Sequence, residues 1–372
     1  MEGPESEQPI KVESDVGATI ARALSLATLV AVLGLLGLLG WLFIVYPDST
    51  GPSGYVEEVV IDVSEGMTLR KLAHRLESEG VLENPRVWSL YMRMRGLDRH
   101  LRQGKVRFRV PMSPEEVARY ATTRLGRIQI RLLIPEGFSR FEIAARLDEY
   151  GVCDAEEFLD ATEDAAILAS YGVEANDAEG YLFPDTYEFD DQTKPRRVVE
   201  RMLANWTRRN EELEKKYADQ LTKLKGWTTH DIVTLASIVE KEAAVPAERP
   251  RIAGVFWNRL NSKRFLPRRR LQADPTVQYG CLAVPEAAPS CAGFDGRITR
   301  AMLDDADNPY NTYRHSGLPP GPISNPGAAS LAAVIDPEEH DYFYFVARGG
   351  GEHHFSKTLR QHNIAVRRNG QR

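Results

Sequence analysis

The chain has 372 residues, 42% of them hydrophobic and 27% charged, with 53 acidic against 47 basic side chains for a formal net charge of −6. That length excludes a small stapled domain and suffices for two or three domains with real cores. The acidic balance gives no electrostatic footprint for nucleic acid, and the three cysteines show no zinc-type spacing, so neither a metal nor a cofactor is expected.

Residues 1–22 read as a short cytoplasmic tail, followed at Ala23–Tyr46 by 24 residues without a charge, rich in Leu, Val, Gly and Ala. As a helix this run spans a bilayer core of about 30 Å. A secretory signal has a shorter apolar region and a small-residue cleavage site. Here the run ends in Trp41, Phe43 and Tyr46, aromatics suited to the membrane interface, so a retained single-pass transmembrane helix is expected. Arg22 stands at its edge and no further basic residue occurs until Arg70, which favours export of the C-terminal part across the inner (cytoplasmic) membrane. Residues 47–54 (PDSTGPSG) form a turn-rich linker.

An internal repeat follows. Val59–Val81 and Ile130–Val152 align at an offset of 71 residues, with Glu65/Glu136, Gly66/Gly137, Ala73/Ala144, Arg75/Arg146, Leu76/Leu147, Gly80/Gly151 and Val81/Val152 identical. Each copy reads as a β-rich run, a Glu-Gly turn and an amphipathic helix stopped by glycine, then a second helix (Pro85–Arg95; Ala155–Ala161). A strand at Lys105–Val110 and a helix with a capping pattern at Ser113–Glu116 complete a first unit at 55–125; a second unit and a long charged helix, Pro195–Lys225, occupy 126–225. Units of this β-α-α kind resemble carbohydrate-binding modules of the LysM type; a duplicated structural unit without a ligand fits them equally well.

Residues 226–372 carry the chemistry. In Asp231–Ala243 (DIVTLASIVEKEA), Ile232, Val233, Leu235, Ala236 and Val239 share one helix face, and Glu240 projects toward it. An acid pressed on an apolar wall has its charged form disfavoured, the condition for a proton donor near neutral pH. Taken alone, a rim residue snorkelling into water fits the helix better, and the surroundings tip the reading. Glu242 stands about 200° around the helix, on what reads as the solvated face, and Lys241 reads as a surface residue. Gln272–Gly280 (QADPTVQYG), Pro309–Tyr313 (PYNTY), Gly317–Gly327 (GLPPGPISNPG) and His353–Ser356 (HHFS) place Asn, Gln, Tyr and Asp among turn formers, as in a groove that hydrogen-bonds and stacks a polar ligand such as a sugar. Tyr342–Val346 reads as a buried strand. Adjacent histidines on a strand face opposite sides, which argues against a metal at His353 and His354. Cys281 and Cys291 suit a small disulfide loop in an oxidising compartment, with Cys153 left as a buried thiol.

These residues resemble the YceG-like endolytic murein transglycosylases (the MltG family). The resemblance runs from the apolar segment to about Val366 and rests on Glu179–Phe189 (EGYLFPDTYEF), Leu235–Glu242, Leu271–Gly280, Tyr310–Gly327 and His353–Asn363. It implies an α+β protein with an N-terminal transmembrane helix, LysM-like units and a mixed α+β catalytic domain. Glu240 matches the family's catalytic acid. Substrate contacts are implied for Gln272, Asp274, Tyr279, Tyr310, Asn311, Tyr313, Asn325 and His353. Ala273 replaces the usual Thr of the family pattern, and the insert around Cys281–Cys291 is longer than usual. The implied reaction cuts the β-1,4 bond between N-acetylmuramic acid and N-acetylglucosamine in nascent peptidoglycan, leaves a 1,6-anhydro end and terminates strand growth. The implied partners are glycan strands, the membrane and the glycan-polymerising and cross-linking enzymes. Two other readings stand beside this one: a water-using muramidase with Glu240 and Asp274, and a non-catalytic wall-binding or scaffold protein.

Overall fold

Side-chain periodicity, capping and turn chemistry together produce a mixed α and β architecture, described by a computed structural model over residues 13–51, 57–64, 66–123, 125–191 and 193–369. The first part of the tail, residues 52–54 of the linker and Glu65 of the repeat lie outside the described residues. The chain divides into two units, one ending at Ile128 and one running from Gln129 to Arg372.

The first unit begins with helix α1, Glu13–Gly40, which continues as a π-helical turn over Trp41–Val45. Its stretch Thr19–Val45 is long and apolar enough to cross a membrane, and its side chains are mostly exposed. The helix does not end in a free tether. Leu42 and Tyr46 are buried in the core of this unit, Tyr46 meets the Tyr91 ring edge-on at 6.0 Å, and the Glu115 amide donates to the Pro47 carbonyl. The rest of the unit is strand β1 (Glu57–Val63), helices α2 (Leu69–Ser78) and α3 (Pro85–Met94), strand β2 (Gly104–Val110) and helix α4 (Pro114–Thr122). β1 and β2 pair antiparallel with Val59 opposite Phe108 and Ile61 opposite Val106. Leu72 and Leu76 from α2, and Trp88 and Met92 from α3, pack on the inner sheet face. The buried Trp88 keeps its indole N–H satisfied on the Pro114 carbonyl at 3.1 Å, as an enclosed polar tip requires.

The second unit opens with the repeat: β3 (Gln129–Leu133), α5 (Arg140–Glu149), α6 (Ala155–Thr162), the short α7 (Ala165–Ser170) and β4 (Thr186–Asp190). β3 and β4 pair antiparallel, Leu132 opposite Tyr187 and Ile130 opposite Phe189. The return strand β4 lies within the Pro-punctuated EGYLFPDTYEF segment, where the sequence reading places no strand. Its alternation is short: only Tyr187 and Phe189 point inward. Both copies of the repeat thus close with a strand that pairs back on the first. The long charged helix expected over 195–225 is two, α8 (Pro195–Lys216) and α9 (Ala218–Lys223), broken at Tyr217, whose ψ of 28° leaves the helical range.

Helix α10 (Thr229–Glu242) is the post around which the remainder is arranged. A capping box between Thr228 and Asp231 starts it, and every residue from Ile232 to Val239 is buried. Around it lie α11 (Arg249–Asn261), α12 (Asp274–Ala283) and α14 (Ala328–Ile335), with the small α13 (Arg300–Asp304) beside α12. A hairpin of β5 (Tyr344–Gly349) and β6 (Glu352–Ser356) precedes the last helix, α15 (Leu359–Asn369). The hydrophobic core runs from Leu132 to Ile335, so the second repeat and the segment after Gly226 share it. Cys281 and Cys291 are joined, their Cα atoms 5.1 Å apart, in a satellite cluster with Val277 and Met302. Replacing both cysteines by serine is expected to cost about 2–3 kcal/mol, the entropy of a short closed loop, with the fold kept. Thermal denaturation of wild type and double variant measures it; no change would place the loop's stability in its packing alone.

Candidate active site

Glu240 is placed by the last turn of α10. The sequence reading sets its carboxylate against an apolar wall; the structure sets it in a polar cradle. Oε1 accepts from the Arg249 guanidinium at 2.8 Å, and Oε2 accepts from the Ser330 hydroxyl at 2.7 Å and the Gly327 amide at 3.1 Å. The cause is chain geometry. The apolar face of α10 runs out at Val239, and the first turns of α11 and α14 meet the helix end there, bringing an Arg, a backbone N–H and a hydroxyl. The partly positive N-terminus of α14 suits a carboxylate. Arg249 also donates through Nε to the Ser330 oxygen at 3.0 Å, so Glu240, Arg249 and Ser330 close a ring of hydrogen bonds. The Glu240 side chain is only 5% exposed.

A second carboxylate shares the same guanidinium. Glu136, in the turn between β3 and α5, lies 3.5 Å from Arg249 Nη2 and is 49% exposed. Burial first, and then the neighbouring Glu240 charge, push its carboxyl above the ordinary range against the pull of Arg249. The turn is built tightly. Gly137 has φ +79°, donates to the Asn325 carbonyl at 2.9 Å and accepts from Lys241 Nζ at 3.2 Å. A Cβ at Gly327 would stand 1.8 Å from a Glu136 carboxylate oxygen, so glycine there makes room for that side chain. Neither Glu136 nor Arg249 stands out in the sequence. Glu136 is hidden inside a repeated Glu-Gly dipeptide that reads as turn chemistry, and Arg249 follows a loop and breaks no period.

On another side of α10 the reading of Glu242 as a solvated neighbour needs correction. Every residue of α10 from Ile232 to Val239 is buried, so the side of the helix away from Glu240 is not a free solvated face there. Glu242 is partly buried beside Asp274 and Arg259, and burial, then the Asp274 charge, hold its carboxyl up to about 7. Asp274, at the first position of α12, accepts from the Tyr313 hydroxyl at 2.5 Å. The preceding Gln272 takes a left-handed backbone with φ 53° and donates its amide to the Thr312 carbonyl. Arg259 ties this side together: it donates to the carbonyls of Leu271 and Phe343 and lies among the rings of Phe256, Phe265, Tyr344 and Phe345.

A third group sits around Glu179, fully enclosed, which accepts from the Arg140 amide at 2.9 Å and from Asn325 Nδ2 at 2.8 Å. Burial, opposed by these donors, raises its carboxyl to about 8. Tyr279 lies beside Glu179 and meets Tyr310 edge-on at 5.0 Å; Tyr279 is buried and Tyr310 half-buried. Two residues expected to bind substrate have no polar atom to spare. The buried Asn325 donates to Phe138 and Glu179 and accepts from the Leu182 amide, stitching the Glu136 turn to the EGYLF loop. The buried Asn311 donates to the carbonyls of Met302, Leu303 and Asp305 and accepts from the Tyr313 amide. His353 is mostly enclosed, its Nδ1 2.8 Å from Glu248, the residue before Arg249, and its ring against Phe345. The structure thus gathers Gln272, Asp274 and Tyr313 into one group and Tyr279 and Tyr310 into another, with Asn311 and Asn325 as loop fasteners.

Comparison with known proteins adds an independent finding. The model of a family described as the YceG-like family matches residues 61–368. The chain is 29% identical over 321 residues to an endolytic murein transglycosylase of Bacillus subtilis, covering 82% of this chain and 83% of that protein. It is 28% identical over 356 residues to an endolytic murein transglycosylase of Streptococcus pneumoniae, covering 88% of this chain but 61% of that longer protein. A crystal structure of a YceG-like protein from Listeria monocytogenes superposes with a TM-score of 0.53 at 30% identity, covering 83% of this chain and 99% of that one.

Two outcomes follow from the site. The three atoms nearest a Cβ at Gly327 all belong to the Glu136 side chain, so Gly327→Ala should leave thermal stability within about 1 kcal/mol while displacing that carboxylate; an unchanged Glu136 position in a crystal structure of the variant would contradict the steric account. Glu179 and Glu242 keep their protons when folded to about 8 and about 7, whereas in the unfolded chain both ionise near their ordinary 4.5. Between these limits the folded chain binds more protons, so these two groups make stability fall as pH rises from about 4.5 to about 8. Urea midpoints across that range should show the decline, and Glu179→Gln should flatten it.

Proposed function

Because the chain belongs to the YceG-like family, we propose that it is a lytic transglycosylase of peptidoglycan that cuts the N-acetylmuramic acid–N-acetylglucosamine bond of nascent strands and thereby ends their growth. The observation that carries the reading is the Glu240 carboxylate, enclosed and held by Arg249, Ser330 and the Gly327 amide at the end of a packed helix. Such fixing keeps a proton-transferring group in place through the reaction.

Glu240, carrying a proton, delivers it to the glycosidic oxygen as the bond from that oxygen to C1 breaks. The sugar's own N-acetyl carbonyl supports the oxocarbenium-like centre. Glu240, now a carboxylate, takes the proton of the C6 hydroxyl while O6 bonds to C1. Proton and electron pairs balance and no water enters. One group works twice, and an intramolecular nucleophile has an effective concentration that water lacks. The muramidase reading loses support, since Asp274 is engaged with Tyr313 and neighbours Glu242 instead of Glu240. Tyr313, Asp274, Gln272 and the half-buried Tyr310 offer hydroxyl, carboxylate, amide and ring surface to a sugar; His353 braces Glu248.

The helix at the N-terminus serves as a single-pass anchor in the cytoplasmic membrane, with the chain that follows it on the outer side, where new strands emerge and polymerising enzymes are the natural partners. The first unit and the second repeat are read as LysM-like glycan contacts. Digestion of purified glycan strands by wild type and Glu240→Gln, followed by mass spectrometry, tests the proposal. Wild type should give 1,6-anhydro ends and the variant should lose about 10³-fold or more in rate. Products heavier by one water would mean hydrolysis, and cleavage undiminished in the variant would remove Glu240 from the chemistry.

A further inference from the structure

Resting on the reading of Glu240 as acid and then base, we propose that Glu136 is a positioning residue for the same reaction, the carboxylate that balances the Arg249 charge whenever Glu240 is protonated. The argument begins with Arg249, whose side chain is almost wholly enclosed. Its only carboxylate neighbours among the described residues are Glu240, at 2.8 Å, and Glu136, at 3.5 Å, both on the same nitrogen. In the proton-donating step Glu240 carries no charge. With nothing else nearby, a buried guanidinium would then stand uncompensated, which is far more costly than an intact pair. Glu136 supplies the missing charge without moving chain: it is already within reach and half open to solvent. When Glu240 becomes a carboxylate for the second step, Arg249 returns to it. The guanidinium is thus shared between two carboxylates and keeps a charged partner through both steps.

The turn that carries Glu136 is held by the Asn325 carbonyl and by Lys241, and the N-cap of α14, Gly327, has no Cβ where the carboxylate lies. The groups facing Glu136 are Glu240 of α10 and Arg249 of α11; α14 contributes the uncharged Gly327 and Ser330, and Lys241 turns to the Gly137 carbonyl.

The test uses the full chain in detergent micelles acting on purified glycan strands, with kcat and KM measured across pH for wild type, Glu136→Gln and Glu136→Asp. Removing the charge while keeping the shape should lower kcat about 10–100-fold at neutral pH with KM little changed, and move the alkaline limb of kcat/KM down by about one pH unit, so that activity recovers toward acid pH. Glu136→Asp, which keeps the charge, should hold the wild-type limb. A limb unmoved in Glu136→Gln overturns the proposal whatever the rate, because a merely structural loss lowers the rate without shifting its pH dependence. Inactivity at every pH overturns it equally, and so does a shift of the same size in Glu136→Asp. These results stand apart from a failure of the functional reading, which would show as cleavage retained in Glu240→Gln.

Discussion

The architecture of the second unit depends on one buried ion pair. Arg249 stands at the first position of α11, where the helix dipole is unfavourable to a cation by about 0.3–1 kcal/mol. Losing one partner of a buried pair costs about 3–5 kcal/mol, so the pairing outweighs the dipole. The pair requires the end of α10 and the starts of α11 and α14 to converge, and the loop of residues 243–248 is short enough to turn the chain between the first two. Ser330 then serves both partners, accepting from Arg249 and donating to Glu240. A hydroxyl able to do both is what lets three helix ends meet without an unsatisfied group.

Within its largely apolar buried stretch α10 carries Ser237, and near its start His230, and these polar side chains organise the loops around it. Ser237 accepts from the Ile323 amide and its own carbonyl receives the Ser324 hydroxyl, while His230 lies between the Tyr181 hydroxyl and the Pro320 carbonyl. The Pro-rich segment 317–327, with few amides to give a sheet or helix, is held by one helix side and delivers Gly327 to Glu240. Packing and the geometry of the candidate site therefore share the same contacts.

Much of this was legible in the residues. Period places α10 within two residues, and the repeat shows itself by its identities, because both signals are local. The environment of each polar residue was not. A helical wheel rightly turns Glu242 away from Glu240, but it presumes that the side away from the core is wet, and a helix buried from Ile232 to Val239 has no such side there. An Asn that fastens a loop has the same sequence setting as one that binds a sugar; here Asn311 spends its amide on backbone groups and Asn325 on the Phe138 carbonyl, the Leu182 amide and the Glu179 carboxylate. Glu136 and Arg249 meet Glu240 across 104 and 9 residues of chain, a convergence that spacing does not encode. The strand β4 was lost because five residues between a proline turn and an acidic loop carry too short an alternation.

The burial of Leu42 and Tyr46 in the first unit has a mechanical consequence. A chain tethered by a random coil samples a range of heights and headings above a surface. Here the apolar helix runs without a joint into the folded unit, so its height and heading follow from helical register. One residue inserted between Gly40 and Tyr46 would turn the unit by about 100° and raise it by about 1.5 Å. Were such a helix embedded in a membrane, it would be less a leash than an axle, and the number of residues in its last two turns would be a geometric parameter of the first unit's aim.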